Sequence, residues 1–193
     1  MNEEEMTIAG IAAGSGDFDV LVAALDAAGL VDAVDDADAD LTVFAPTDAA
    51  FATLAGELGY TGDPADTEAV FAAIAGALTD LAEDGDPIPL LSEILLYHVS
   101  PGARAAEELL ASESIDTLNA AGAAITPSAG RLVDLEPDLL DPEIVAADIA
   151  ASNGTIQAID RVLLPLDVPG NDRPTIAETA SGNEDFEVLT LAL

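Results

Sequence analysis

The sequence predicts an α+β domain, in which a helical first half precedes a strand-rich second half. Up to residue 112, apolar residues recur mostly at helical spacing, as in DFDVLVAALDAAGL at 17–30. Beyond that point, short apolar runs alternate with Gly, Asn and Pro, as in EIVAADIAASNGTIQAID, which is typical of strands and turns. Half of the residues are hydrophobic, so the chain can bury a sizeable core despite its charge.

The first half divides into helices around one early strand. We expect helices over 7–14 and 17–30, with Gly29 ending the second, and an acidic, Ala-rich bridge after it. LTVFAP at 41–46 is apolar, β-branched and aromatic, and predicts a buried strand. Thr47 then fits the N-cap of a helix through DAAFATLAG.

Three further helical segments follow, separated by acidic loops at 60–68 and 83–89. The pattern predicts helices over 68–82 and 103–112, and a helical run in LLSEILLYHV that reaches Tyr97. The short apolar runs between residue 113 and LLP at 163–165 predict the strands of an antiparallel sheet.

The charge of the chain is extreme, with 38 acidic residues against four arginines, no lysine and a net charge of −34. Such a surface repels nucleic acid and anionic lipid, because it has no basic stripe to neutralise phosphates. The acids are scattered along the whole length, which favours adaptation of the entire surface to concentrated salt over a dedicated polycation or calcium function. We therefore expect a halophilic, archaeal source.

The sequence has no cysteine, and neither a secretory signal nor a membrane-spanning segment is evident in it. Without cysteine there is no disulfide, thiolate metal site or cysteine nucleophile. The start, MNEEEMTIAG, lacks the basic and apolar regions of a secretory signal. No run of about 20 residues is apolar enough to span a membrane.

The candidate reactive residues do not assemble into a catalytic or metal motif. Ser92 and Ser100 lie near the single histidine, His98, but without a nucleophile elbow. With one histidine and no cysteine, a zinc ion would have only carboxylates for its remaining ligands, which is an unusual ligand set. DDADADL at 35–41 lacks the glycine and glutamate of a calcium-binding loop. The acids of EPDLL and DPE (136–143) have no evident cleft, and Arg161 is interpreted as balancing neighbouring acids from an exposed strand. We therefore expect no enzyme activity and no cofactor.

Three segments together resemble the fasciclin-like domain family, in the family's order and spacing. They are TVFAPTDAAF (42–51), ILLYHVSPG (94–102) and NGTIQAIDRVLLP (153–165), and the opening helices are similar as well. The resemblance covers roughly residues 7–166. It implies a wedge of two β-sheets with helices packed around it, and a secreted or cell-surface adhesion module that binds a protein or surface polymer, with another copy of itself among the candidate partners.

The resemblance also implies candidate interaction residues. In some animal members a tyrosine-histidine motif is linked to receptor binding, and Tyr97 and His98 match it. Those members have a second adhesion motif, of which this chain keeps only Asp148 and Ile149. The residues themselves favour another interpretation of His98, as a buried ring that hydrogen-bonds backbone where a helix passes into a strand. Gln157 stands where the family commonly has a histidine, and the acidic region at 60–89 looks longer than usual.

The C-terminal segment repeats the opening of the chain. TIAETASGNEDFEVLTLAL (175–193) matches TIAGIAAGSGDFDVLVAAL (7–25) in register, which predicts tandem domains. The expected organisation is an acidic leader at 1–6, a fasciclin-like domain at 7–166, a linker at 167–174 and the start of a second, truncated repeat at 175–193.

The alternative function is a carrier of a small apolar ligand such as a pigment or lipid, although few aromatic residues are available to line a pocket.

Overall fold

The computed structural model describes residues 6–82 and 84–168, so residues 1–5 and 169–193, including the C-terminal repeat, lie outside it. The helices are α1 (Ile8–Gly14), α2 (Asp19–Ala28), α3 (Val31–Asp35), α4 (Asp48–Glu57), α5 (Thr67–Leu81), α6 (Pro87–Tyr97) and α7 (Ala106–Ala111). The strands are β1 (Leu41–Pro46), β2 (Val99–Pro101), β3 (Ile115–Asp116), β4 (Ala124–Ser128), β5 (Arg131–Val133), β6 (Ile144–Ala151) and β7 (Gly154–Ile159).

Polar caps and a glycine set the ends of the helices that the sequence predicted. Thr47 caps α4 by accepting a hydrogen bond from the Ala50 N–H at 3.3 Å. Gly29 ends α2 with a left-handed backbone (φ 67°), a conformation that glycine adopts without a steric penalty. The bridge after Gly29 is not wholly irregular, because it contains the short helix α3. Helix α6 begins inside the predicted acidic loop, where the Asp86 side chain caps its Pro-initiated first turn.

The strands form two sheets, with orders β2-β1-β7-β6 and β3-β4-β5. The predicted antiparallel pairing is confirmed for the strands of the second half, β3 with β4, β4 with β5 and β6 with β7. At the centre of the larger sheet, however, β1 and β7 run parallel and pair from Leu41–Gly154 to Pro46–Ile159. More than a hundred residues separate these strands, so local sequence patterns carry no information about their relative direction.

A glycine and an asparagine fix the start of β7. A Cβ on Gly154 would lie 2.0 Å from the Leu41 carbonyl oxygen, so only glycine allows β1 and β7 to approach there. The buried Asn153 side chain accepts a hydrogen bond from the Ile8 N–H and donates to the carbonyls of Val34 and Asp36, at 2.8–2.9 Å. Asn153 therefore joins the strand turn to α1 and α3.

The larger sheet has an apolar core on each face. Val43 and Ala45 of β1 face the core that packs against α1, α2, α4, α5 and α6. Phe44, between them, points to the other side, where Tyr97, Leu132 and Ile159 pack between the two sheets. The helices therefore cover one face and the smaller sheet covers the other, which confirms the predicted α+β wedge.

Candidate interaction surface

Tyr97 and His98 lie in the core, at the junction of α6 and β2. Tyr97 is fully buried and its hydroxyl donates a hydrogen bond to the Ala124 carbonyl at 3.2 Å. Burial raises the pKa of Tyr97 well above its ordinary value, and the nearby Asp134 carboxylate raises it further. His98 is only 2% exposed. Neither side chain is presented to a partner in the folded domain.

The His98 ring bridges two backbone groups. The Leu163 N–H donates to Nε2 at 2.9 Å, so Nδ1 carries the proton and donates to the Ile94 carbonyl at 2.7 Å. Burial lowers the pKa of His98 to about 4, although the hydrogen bond to Ile94 opposes that shift. A neutral ring with both nitrogens engaged ties the end of α6 to the segment after β7, as the interpretation of His98 as a buried structural residue requires.

Asp148 and Ile149 lie elsewhere, on the edge strand β6. Asp148 has a positive φ of 58°, within an irregular stretch of the β6–β7 ladder. Its Oδ1 accepts hydrogen bonds from the Ala106 N–H and from Gln157 Nε2, both at 2.8 Å, and its own N–H donates to Gln157 Oε1. The bond from Gln157 lowers the pKa of Asp148, and the bond from Ala106 does so as well.

Gln157 explains how the chain manages without the family's histidine at that position. Its amide is fully buried, and besides Asp148 it contacts the Arg104 carbonyl at 3.2 Å. The amide accepts from the Asp148 N–H and donates two hydrogen bonds, to Asp148 Oδ1 and to the Arg104 carbonyl, whereas a neutral imidazole could donate only one. Asp148 and Gln157 therefore shape the edge strand and the start of α7.

Beside Ile149 a groove of about 400 Å³ runs between α1 and β6. Its exposed apolar rim includes Val145, which is 56% exposed, and among the described residues that line it Asp17 is the only carboxylate. The lining residues are Met6, Ile11, Gly14, Ser15, Asp17, Phe18, Thr47, Val145, Ala146, Ile149 and Ala158. The volume lies in the range of ligand pockets, and so nearly uncharged a surface is unusual on a chain this acidic. Sequence reasoning found Ile149 but missed the groove, because its walls come from segments far apart in the chain.

A second cavity lies inside the domain, between α4, α5, α6 and the segment after β7. It is lined by apolar side chains and His98, but its volume is only about 30 Å³. Typical ligand pockets hold about 300–1,000 Å³. This cavity therefore has no room for a pigment or lipid unless the helices move apart.

The residues weighed for chemistry have structural partners. The Ser92 hydroxyl donates to the Ile88 carbonyl at 2.8 Å, and Asp36 accepts from the Asp38 N–H at 3.0 Å within the former calcium candidate. Arg161 pairs with Glu57 at 3.2 Å, which agrees with a charge-balancing role, although Arg161 follows β7 and is not on a strand.

One acidic cluster among the described residues has the spacing of a metal site. Oxygens of Glu136, Asp138 and Asp167 lie within 4.8 Å of one another. Both oxygens of the buried Glu136 accept backbone hydrogen bonds, from Asp138 N–H at 2.9 Å and from Val168 N–H at 2.6 Å. Backbone capping is therefore sufficient to explain why Glu136 is buried there.

The fold and the three sequence motifs define a class of β-wedge domain, and comparison with known proteins identifies its family. A family model described as "Fasciclin domain" matches residues 16–165, which is most of the chain. The chain belongs to the Fasciclin domain family. Members are generally interaction modules without catalytic activity and are commonly extracellular or surface-associated.

Two relatives come from the cyanobacterium Synechocystis sp. (strain ATCC 27184 / PCC 6803 / Kazusa). "Protein sll1483" is 37% identical over 163 residues, which span 84% of this chain and 76% of that protein. "Uncharacterized protein sll1735" is 32% identical over 154 residues, or 80% and 94% of the two chains. The comparisons show no halophilic or archaeal source, and this stays a prediction.

A solved structure confirms the fold. It is described as a novel fold revealed by a FAS1 domain pair from the insect cell adhesion molecule Fasciclin I, and it superposes with a TM-score of 0.57 at 19% identity. The similarity covers 82% of this chain and 51% of that one, so the present chain spans about half of the domain pair. Within residues 6–82 and 84–168, no helix combines the length and apolarity needed to cross a membrane.

Proposed function

We propose that this protein is a secreted or cell-surface adhesion module that binds a protein or surface polymer through the groove between α1 and β6. The observation that carries the proposal is the groove itself, a nearly uncharged concave surface with an exposed apolar rim on a chain of net charge −34. A polar partner would find few complementary charges there, whereas apolar contacts and neutral hydrogen bonds are available. Membership of a family of interaction modules supports the same role.

A bead-aggregation assay at about molar salt tests this proposal, because salt at that concentration reduces the Debye length to about 3 Å and removes long-range repulsion. Val145→Glu places a charge on the groove rim at a site that is already 56% exposed, so the fold should tolerate it. Leu118→Glu is the matched control, since Leu118 is 42% exposed and does not line the groove. Loss of aggregation in the Val145 variant alone supports the proposal, and aggregation that both variants retain contradicts the assignment to the groove. Calcium is added in parallel to reveal any bridging by cations.

We also propose that the surface is adapted to concentrated salt. A net charge of −34 on 193 residues repels itself strongly in dilute buffer, and this repulsion is screened at molar salt. The protein is expected to lose cooperative structure on dialysis to low salt. An unchanged circular dichroism spectrum and melting temperature at low salt contradict salt adaptation.

We propose that residues 167–174 are a linker and that residues 175–193 begin a second Fasciclin repeat. The buried residues of α1 and α2 support this proposal. Of these, only Ile11 differs in the repeat, where Thr179 replaces it, while residues such as Val20 and Leu21 return as Val188 and Leu189. Core positions are those that a second domain would need to keep. The complete reading frame tests this organisation.

The carrier of a small apolar ligand remains the second candidate function. The internal cavity of about 30 Å³ gives it less support than the groove gives to adhesion. The test is whether visible absorbance or lipid copurifies with the protein. A stoichiometric pigment would favour the carrier.

A further inference from the structure

The segment after β7, residues 162–168, has no helix or strand but is mostly buried; we call it the strap. Val162, Leu163, Leu164 and Val168 are each less than 9% exposed. With no sheet partner to satisfy its N–H groups, the strap depends on side-chain acceptors from elsewhere in the fold.

The strap is held by three titratable side chains. His98 Nε2 accepts from the Leu163 N–H at 2.9 Å, and Asp134 Oδ2 accepts from the next N–H, of Leu164, at 2.8 Å. Glu136 accepts from the Val168 N–H at 2.6 Å. The inner half of the strap is anchored by a neutral ring and by Leu163 in the core between the sheets. The outer half, residues 164–168, is held by two carboxylates and, at its first residue, by the Leu135 N–H, which donates to the Leu164 carbonyl at 3.1 Å.

These carboxylates lie among others. Glu136 is within 4.8 Å of Asp138 and of Asp167, which belongs to the strap itself. Asp134 is partly buried, and its pKa is raised to about 6, chiefly by burial. The two backbone hydrogen bonds that it accepts oppose this rise, and the charges of Asp141 and Glu136 contribute to it. Tyr97 is the other titratable group that faces Asp134. At neutral pH the acceptors that hold the outer strap are therefore also charges that repel one another.

We propose that the outer half of the strap opens when these carboxylates repel one another in dilute buffer and closes when dissolved salt screens them. Opening would leave the inner half anchored at His98. It would uncover the apolar face of α4, α5 and α6, because Leu164, Leu166 and Val168 form one wall of the internal cavity. This device is a property of the fold and does not depend on which partner the groove binds.

Amide hydrogen exchange at constant neutral pH tests the proposal, with NMR detection in about 2 M salt and at the lowest salt concentration at which circular dichroism still shows the folded domain. The Leu164 and Val168 amides are expected to gain roughly tenfold more protection with salt than the β7 amides, which report opening of the whole domain. Equal salt dependence for the strap and β7 would overturn the proposal, since the strap would then open only with global unfolding.

A charge-matched pair of variants separates local from general repulsion. Asp138→Asn with Asp167→Asn removes two charges beside the strap and leaves the acceptors Asp134 and Glu136 in place. Asp26→Asn with Asp32→Asn removes two exposed charges on α2 and α3. We expect the first pair to protect the Leu164 and Val168 amides at the lower salt concentration about as well as concentrated salt does, and to reduce binding of the neutral dye Nile red. If both pairs have the same effect, the strap responds only to total charge and the proposal fails.

Discussion

Replacing His98 by alanine is expected to destabilise the domain by about 4 kcal/mol. The variant removes the acceptor of the Leu163 N–H and the donor to the Ile94 carbonyl, both of which are buried. Each unpaired buried backbone group costs about 1–3 kcal/mol. Removal of the ring from a position that is 2% exposed adds a packing loss, which places the sum near the upper end of single-substitution effects.

Urea unfolding in concentrated salt, followed by far-UV circular dichroism, measures this loss, because the chain has no tryptophan to report it. His98→Gln is the informative companion, since a carboxamide can still accept or donate one of the two hydrogen bonds, and it should lose less stability. Ile88→Ala, at an exposed helix position, is the control. A His98→Ala variant within about 0.5 kcal/mol of the wild type would refute the structural role. Lost adhesion with unchanged stability would favour a recognition role instead.

The same histidine should make stability depend on pH. Its pKa is about 4 in the folded protein and 6.5 as a free side chain, so the unfolded chain binds the proton first. The contribution of the neutral ring is complete above about pH 6.5 and is lost as the pH falls towards 4, amounting to roughly 3 kcal/mol. The measurement is the difference in unfolding free energy between the wild type and His98→Gln, because other groups cancel in that difference. A difference that stays constant from pH 7 to pH 4 would contradict the pKa assignment.

Three further variants test other parts of the fold. Burial raises the pKa of Asp134 to about 6, so its carboxyl group loses its proton more readily in the unfolded chain. The free energy of unfolding of the wild type should therefore fall by up to about 3 kcal/mol relative to Asp134→Asn as the pH rises from 4 to 7. A difference between the two proteins that does not change with pH in urea titrations would argue against the raised pKa. Gly154→Ala should cost about 3 kcal/mol or more, because its Cβ would overlap the Leu41 carbonyl, and a melting temperature close to that of the wild type would show that β1 and β7 can separate. Asn153→Ala should cost about 3 kcal/mol and expose the Ile8 amide to hydrogen exchange before the β7 amides; intact protection at Ile8 would contradict the joining role of Asn153.

Much of the fold could be predicted from local pattern. The helical spacing in DFDVLVAALDAAGL, the cap at Thr47 and the apolar run at 41–46 each reflect forces between residues close in sequence. The parallel pairing of β1 with β7 could not be predicted in this way, because strand direction depends on the path of the chain between them.

For the candidate site too, local sequence predicted some features and not others. A lone histidine after LLSEILLY suggested a buried ring at a helix end, and His98 is such a ring. Nothing in the local sequence indicated that Asn153 would contact α1, or that Asp134 and Glu136 would hold the strap. These contacts join residues that are far apart in the chain, and the sequence around each residue does not indicate which distant segment it will contact.

By itself, the sequence determined the fold class, the family and an acidic surface, because these depend on composition, periodicity and motif order. Only the tertiary structure decided which residues are available to a partner. It buried Tyr97 and His98, and it placed Ile149 in a groove with side chains from α1. The physical reason is that exposure is a property of the packed chain, since a residue's access to solvent depends on what distant segments cover it.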